Sequence, residues 1–138
     1  MPSLLKNIIA VILGVIVGSV VNMSLITISG SIIPLPEGVD NTTMEGLKAS
    51  AHLFEPKHYI FPFLAHAIGT LAGALIAAAI AATYKNKFAL VVGVFFLMGG
   101  VSMVYMVPSP TWFAVLDLVV AYIPMAIFGG KIGMKIKL

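Results

Sequence analysis

Long apolar stretches alternate with short polar segments along this chain. Four of these stretches, at about residues 8–28, 59–83, 88–107 and 112–130, carry at most one charged residue each. Each is long enough to cross a bilayer as a helix, which takes about 20 residues. The pattern predicts an all-α membrane protein with four transmembrane helices.

The second stretch, Tyr59 to Thr83, has two different faces on a helical wheel. Small or polar residues share one narrow face, interrupted only by Ile80: Pro62, His66, Gly69, Thr70, Gly73 and Ala77. Bulky apolar residues lie roughly opposite: Leu64, Ile68, Leu71 and Leu75. A membrane helix of this kind packs its small face on other helices and turns its bulky face to lipid. We therefore expect Gly69, Gly73 and Ala77 to be packing residues.

The first stretch also carries a small-residue stripe, in which Gly14 and Gly18 form a G-x-x-x-G pattern on the same side as Asn22. Its apolar run is longer than the ~7–15 residues of a cleavable signal peptide core, so we expect a retained first span. The favoured interpretation of the glycine and alanine stripes is that they close the bundle internally. The alternative is that they face outward and mediate oligomerisation.

Residues 29–58 form the only long polar segment. Pro34 and Pro36 are expected to end the first helix. Thr42 and Glu45 have the spacing of a capping box, and apolar residues then recur at helical spacing. We predict a short amphipathic helix from Thr43 to Phe54, on the membrane surface or over the mouth of the bundle. The alternative is a partly ordered loop.

The later spans are joined by short turns. Residues 84–87 are expected to connect the second span to the third, and Ser109 to cap a fourth helix that has Pro110 in its first turn. Trp112 is placed as an interfacial anchor, and Pro124 is expected to kink the last helix. Short turns require antiparallel neighbours, so the predicted architecture is an up-down four-helix transmembrane bundle.

Composition supports this fold and excludes several function classes. Of the 138 residues, 60% are hydrophobic and 9% charged, with a mean hydropathy of +1.10, which suits one transmembrane domain covering residues 1–138. The absence of cysteine excludes disulfides, thiolate catalysis and sulfur-ligated metals. The pI of about 9.3 arises from lysines spread along the chain, so we expect no nucleic-acid partner.

The lysines also predict the orientation in the membrane. One side of the bundle receives Lys6, Lys85, Lys87, Lys131, Lys135 and Lys137. The opposite side receives only Lys48 and Lys57, together with four acidic residues. Positively charged residues favour the cytoplasmic side, so both termini are expected to be cytoplasmic.

With this orientation, polar residues of all four spans fall at a similar depth. Asn22, His66, Ser102 and Asp117 are expected ~7–11 Å below the outer surface, and Tyr105 one turn higher. Asp117 is the most unfavourable of them, because an aspartate in a membrane helix needs a partner or a wet cavity. A pair with His66 would favour imidazolium and carboxylate together.

Two interpretations of this polar layer stay open. Asp117 and His66 form a proton-responsive or cation-binding site, with Asn22, Ser102 and Tyr105 as hydrogen-bonding neighbours, or the layer is a network that only sets helix register. A single bundle of this size is expected to enclose little volume, so a conducting pore would need an oligomer.

Metal sites and catalytic sites are not expected. No two of His52, His58 and His66 have the i, i+4 spacing that places two ligands on one helix face. Neither a nucleophile elbow nor another catalytic signature surrounds Ser102, His66 and Asp117. We therefore expect no cofactor and no enzymatic activity.

Three segments carry a family resemblance: Pro36 to Asp40, Phe54 to His58, and His66 to Thr70. The chain resembles small four-span bacterial membrane proteins of unassigned activity over most of its length. This resemblance implies a location in a bacterial inner membrane and implies no mechanism. Small multidrug transporters match poorly, since their first span carries a glutamate where this chain has Asn22. Small fluoride channels match poorly as well, since they rely on an arginine and this chain has none.

The favoured function is a structural or accessory bundle that packs with itself as a homo-oligomer or with a larger membrane-complex partner in the lipid bilayer. The alternative is a small ion- or proton-coupled transporter or channel that uses the Asp117–His66 layer. A membrane-embedded enzyme ranks third.

Overall fold

The computed structural model describes residues 1–136 and 138. Within this part of the chain, four helical segments are long and apolar enough to cross a membrane. They are α1 (Ser3–Ile32), α3 (Ile60–Ile80), α4 (Lys85–Met106) and a divided fourth segment, α5 (Thr111–Val120) and α6 (Ile123–Met134). Between α1 and α3 lie the short helix α2 (Met44–Ser50) and two 3-10 helices, Ala51–Leu53 and Pro56–Tyr59. Lys137, one of the lysines on which the predicted orientation rests, lies outside the described residues.

The central helix of the bundle is α3, which contacts α1, α4, α5 and α6. Toward α1, Gly69 and Gly73 lie against Gly18 and Gly14, and a Cβ atom on Gly73 would lie 2.6 Å from the carbonyl oxygen of Gly14. Ala77 is fully buried in the same interface. The two backbones approach this closely because glycine has no side chain. These predicted packing residues therefore lie inside the bundle.

The opposite face of α3 packs against α6. The backbone carbonyls of Leu71 and Leu75 lie against Gly129 and Gly133, where a side chain on either glycine would collide with them. The expectation that this whole face meets lipid is wrong, because α6 carries its own pair of glycines four residues apart. Only Ile68 of the bulky set is largely exposed, at 40%.

One end of the bundle carries the chain termini and the turn between α3 and α4, and we call it the terminal end. Asn7 is buried there; its side-chain oxygen accepts the backbone N–H of Ala82 at 2.8 Å, and its nitrogen donates to the hydroxyl of Thr83 at 2.8 Å. Lys85 donates to two carbonyls in the last turn of α3. Since Lys85 already begins α4, the turn covers residues 81–84 and not the predicted 84–87.

Residues 33–59 cover the other end, which we call the loop end. The cap of α2 is Thr43 and not the expected Thr42, since Thr43 accepts the N–H of Gly46 at 2.9 Å. The hydroxyl and the backbone N–H of Thr42 instead donate to Asp40, and these bonds hold the pKa of that carboxyl below its usual value. The α-helix is shorter than predicted, because it ends at Ser50 and only 3-10 geometry follows.

A buried histidine fastens this loop to the bundle. The ring of His58 accepts the backbone N–H of Glu55 at Nδ1 (2.8 Å), and its Nε2 donates to the carbonyl of Pro34 (3.2 Å). One ring nitrogen accepts and the other donates, which requires a neutral imidazole. Pro34 lies just beyond the end of α1 and His58 just before α3, so the loop is held across the loop end.

The fourth segment starts and bends differently from the prediction. The residue that precedes α5 is Pro110, and no side chain caps the helix, so Ser109 is not the cap. The helix breaks at residues 121–122, and Pro124 lies in the first turn of α6. Proline has no N–H to continue the preceding ladder, which accounts for a break at this place.

Candidate functional site

A carboxylate and an imidazole from different helices meet inside the bundle. The Nδ1 atom of His66 on α3 lies 2.8 Å and 3.0 Å from the two carboxylate oxygens of Asp117 on α5. Because an ionised carboxylate only accepts hydrogen bonds, Nδ1 carries the proton of this bond. Asp117 is 4% exposed, whereas the side chain of His66 is 26% exposed. The expected partners are therefore in direct contact.

A third side chain, Tyr122 in the turn between α5 and α6, completes the site. Its hydroxyl donates to Asp117 at 3.1 Å, and its ring stacks on the imidazole of His66 with ring centroids 5.7 Å apart. Gly100 of α4 makes room for it, since a Cβ atom there would lie 2.5 Å from the tyrosine hydroxyl oxygen. The carboxylate thus has one partner on α3 and one in the turn that precedes α6.

The helix break is what brings Tyr122 to Asp117. In a continuous α-helix, residues five apart point about 140° away from each other. The turn at residues 121–122 changes this direction and allows the bond. The sequence did not identify Tyr122 as a site residue. The predicted kink at Pro124 was the available signal, because side chains beside a kink leave the positions of a regular helix.

A cavity of about 750 Å³ extends from the loop end to this site. Parts of α1, α3, α4, α5 and the loop line it, and its polar lining includes Asn22, Lys57, His58, His66, Ser109 and Asp117. Small-molecule sites typically measure about 300–1,000 Å³. The expectation that a single bundle encloses little volume is wrong, because this cavity lies between the helices and the loop at the loop end.

The cavity also reaches the side of the bundle between α1 and α4. Met23 and Thr27 of α1, and Met103 and Val104 of α4, line the cavity and are exposed as well. In a bilayer this opening would face lipid. The cavity therefore extends both under the loop and to the side of the bundle between α1 and α4.

Two of the predicted neighbours do not take part in the site. Ser102 is exposed and donates to the carbonyl of Met98 in its own helix at 2.9 Å, and Tyr105 is 87% exposed. The face of α4 that carries Gly93 and Gly100 packs against α6, and Ser102 and Tyr105 point elsewhere. Equal depth in the membrane does not fix the direction of a side chain around its helix. Asn22, by contrast, lines the cavity.

The chemistry of the site is that of a proton acceptor beside a buried anion. Among the described residues, Nε2 of His66 has no hydrogen-bond partner, so it is the atom that can gain or lose a proton. Within the same residues, no three His, Asp or Glu side chains are grouped as metal ligands. The groups in place suit a proton or a cation that needs one carboxylate.

No family model matches the chain, and no match was found among curated proteins or solved structures. The resemblance to small four-span bacterial membrane proteins stays a prediction, as does the expected lack of enzymatic activity. The geometry of the site and the cavity is the basis of the proposals below.

Proposed function

We propose that this small polytopic membrane protein is a transporter that couples proton movement to the movement of a cation at the Asp117–His66 site. One observation carries the proposal: a buried carboxylate, paired with a histidine, lies at the inner end of a cavity that is open to the loop end. Ionisable groups inside a membrane are unfavourable, and those that line cavities are typical of ion and proton pathways.

The proton and the cation compete for the same charge. When His66 carries a second proton at Nε2, the imidazolium and the carboxylate of Asp117 neutralise each other. When that proton leaves, the site keeps one net negative charge in surroundings of low dielectric. A cation is then attracted to Asp117, so occupation by a cation and protonation of His66 oppose each other.

The broken fourth segment supplies a place for movement. The cavity is open at the loop end, whereas alanines pack the terminal end in a buried cluster of Ala74, Ala78, Ala89 and Ala126. The break at residues 121–122 lies between the two halves, directly beside the site. Discontinuous helices next to a binding site are a recurring feature of transporters. In our proposal α5 moves against α6 to expose the site to the terminal end.

The lysine distribution supports an outward orientation of the loop end. We propose that both termini are cytoplasmic, in a bacterial inner membrane, so that the cavity as it stands opens to the outside. Protons would then enter the site from the outer side and leave to the cytoplasm after the movement.

A second candidate is the accessory bundle that packs with itself or with a larger partner. It is favoured by an exposed small-residue patch on α4, formed by Gly99, which has open space around it, and by Ser102. Small residues on a lipid-facing surface allow close approach of another helix. This candidate predicts a folded protein that moves no protons.

The test is proton movement in proteoliposomes that contain the indicator pyranine. Gradients of sodium, potassium and benzyltrimethylammonium are applied in turn, and the wild-type protein is expected to move protons in response to at least one of them. Asp117→Asn should reduce this movement to that of empty liposomes, because the site loses its charge. Ser102→Ala is the matched control, since Ser102 lies outside the cavity.

Proton movement equal to that of empty liposomes, from wild-type protein of intact fold, would contradict the transporter and favour the accessory bundle. Equal proton movement in Asp117→Asn and the wild type would contradict the assignment of the site.

A further inference from the structure

We propose that the cavity binds a hydrophobic organic cation with a delocalised or quaternary charge, and that this cation displaces the proton on Nε2 of His66. The inference rests on the proposed function in that it names the class of cation for the same site. It is carried by the walls of the cavity, the charges around it and its lateral opening.

The walls suit an apolar body with aromatic contacts. Phe54 of the loop, Phe61 of α3 and Phe113 of α5 line the cavity, together with Met103 and other apolar side chains of α1 and α4. Aromatic faces attract cations through their quadrupole, and most strongly where water is excluded. A small hydrated ion would leave most of this wall area in contact with water, whereas an organic cation would cover it.

The charge at the inner end selects a cation. Asp117 is a buried carboxylate that is bonded to His66 and Tyr122. Once Nε2 of His66 has lost its proton, the site as a whole has one net negative charge. An anion of the same size would be repelled there. A neutral molecule would gain the apolar contacts but nothing from Asp117.

The charges at the mouth of the cavity do not repel a cation. The loop over it carries four acidic residues against two lysines, a net charge of −2 with histidines neutral. Of the basic groups that line the cavity, Lys57 is paired with Glu55 at 3.4 Å. His58 is held in the neutral form by its two hydrogen bonds.

The exchange with a proton involves few groups. Among the described residues packed around the pair, the titratable side chain that faces it is Tyr122, in the turn between α5 and α6, and His58 and Lys57 lie at the mouth of the cavity. From α1 the lining includes only the uncharged Asn22 at this depth, and Ser102 of α4 points away. One cation therefore enters for each proton that leaves Nε2, and the charge of the site is unchanged.

The lateral opening fits a ligand that partitions into lipid. Met23 and Thr27 on one side and Met103 and Val104 on the other form an entrance on the side of the bundle, between two helices that are apolar enough to cross a membrane. A hydrophobic cation dissolved in the bilayer can reach Asp117 through this entrance without crossing the loop. An inorganic ion has access only from the loop end.

The test uses tetraphenylphosphonium and the anion of the same shape, tetraphenylborate, with the full-length protein in phosphatidylcholine nanodiscs at pH 8. We expect saturable binding of tetraphenylphosphonium above that of empty nanodiscs, and no such binding of tetraphenylborate, which is measured separately because the two ions form an insoluble salt. Asp117→Asn should weaken binding by roughly tenfold or more, because it removes the buried charge that faces the ligand. Tyr105→Phe, outside the cavity, should bind like the wild type.

Calorimetry in two buffers of different ionisation enthalpy, repeated at lower pH, measures the proton. We expect release of up to about one proton per bound cation as the pH is lowered, because the cation displaces the proton on Nε2 of His66. Saturable binding of tetraphenylborate alone, with an affinity equal to that of tetraphenylphosphonium, would overturn the inference, and this measurement needs only the wild-type protein. Wild-type affinity in Asp117→Asn, or binding without proton release at any pH, would overturn it as well.

The two proposals fail separately. Proton movement driven by sodium or potassium, without binding of tetraphenylphosphonium, would overturn the inference and keep the transporter. Binding of tetraphenylphosphonium without proton movement in any gradient would overturn the transporter and keep the binding site.

Discussion

At the scale of single residues, Asp117 is stabilised by one partner from another helix and one from the turn that follows its own helix. His66 reaches both of its oxygens from α3, and Tyr122 reaches one of them from the turn between α5 and α6. A buried charge is tolerated when it is paired and hydrogen-bonded, and removal of one partner leaves part of the cost of desolvation uncompensated. The three side chains therefore form one network, in which each partner supports the charge of Asp117.

Removal of the tyrosine hydroxyl tests this network. Tyr122→Phe is expected to lower the free energy of unfolding by about 1–2 kcal/mol, because Asp117 loses a buried hydrogen bond while the ring packing is kept. Unfolding in mixed detergent micelles, followed by circular dichroism, measures the change.

The control for Tyr122→Phe is Tyr105→Phe, which removes the same hydroxyl from a ring that is 87% exposed. It should change the free energy of unfolding by less than about 0.5 kcal/mol. A loss of equal size in both variants would contradict the role given to the bond between Tyr122 and Asp117.

The pairing of His66 with Asp117 could be predicted from the sequence, because both are ionisable and fall at equal depth in antiparallel spans. Tyr122 could not, since its position depends on where the fourth helix breaks. The same limit applies to Ser102 and Tyr105, which have the right depth but the wrong direction around α4. Depth follows from counting residues, and direction depends on which face of each helix packs.

At the scale of elements, pairs of glycines four residues apart hold α3 between two helices. Gly14 and Gly18 of α1 meet Gly69 and Gly73 of α3, and Gly129 and Gly133 of α6 meet the opposite face. The first interface could be predicted from the small-residue stripes. The second was missed, because the bulky residues of α3 suggested lipid, although the spacing of Gly129 and Gly133 is the same.

Gly73→Ala tests the contact between α1 and α3. The added Cβ atom would lie 2.6 Å from a backbone oxygen of Gly14, so the helices must separate, and we expect a loss of about 1–3 kcal/mol in the free energy of unfolding. The loss exceeds the gain in helix propensity from glycine to alanine, which is at most about 1 kcal/mol. The same unfolding measurement in detergent applies.

Gly99→Ala is the matched control for Gly73→Ala, because nothing lies within 4 Å of the added atom on α4. It should be neutral or stabilising by up to about 1 kcal/mol. Destabilisation of the same size at both positions would show that glycine itself, and not the close helix contact, is required.

At the scale of the whole molecule, the loop end and the terminal end of the bundle differ. The terminal end is closed by alanines and by the bonds of Asn7, whereas the cavity lies between the helices and the loop at the loop end. The order and direction of the helices follow from the apolar stretches and the short turns, and could be predicted. The cavity could not, because its volume depends on how the helices and the loop pack at one end, which no local pattern specifies.

The central claim is that this cavity leads from the loop end to Asp117, and cysteine accessibility tests it most directly. The chain has no cysteine, so single substitutions report on one position. Ala114 lines the cavity one turn before Asp117, and its neighbour Val115 is 56% exposed on the outside of the bundle. In intact cells, Ala114→Cys should react with a charged, membrane-impermeant thiol reagent, and Val115→Cys, surrounded by lipid, should not. A lack of reaction at Ala114→Cys from either side of the membrane, or equal rates at both positions, would contradict the account.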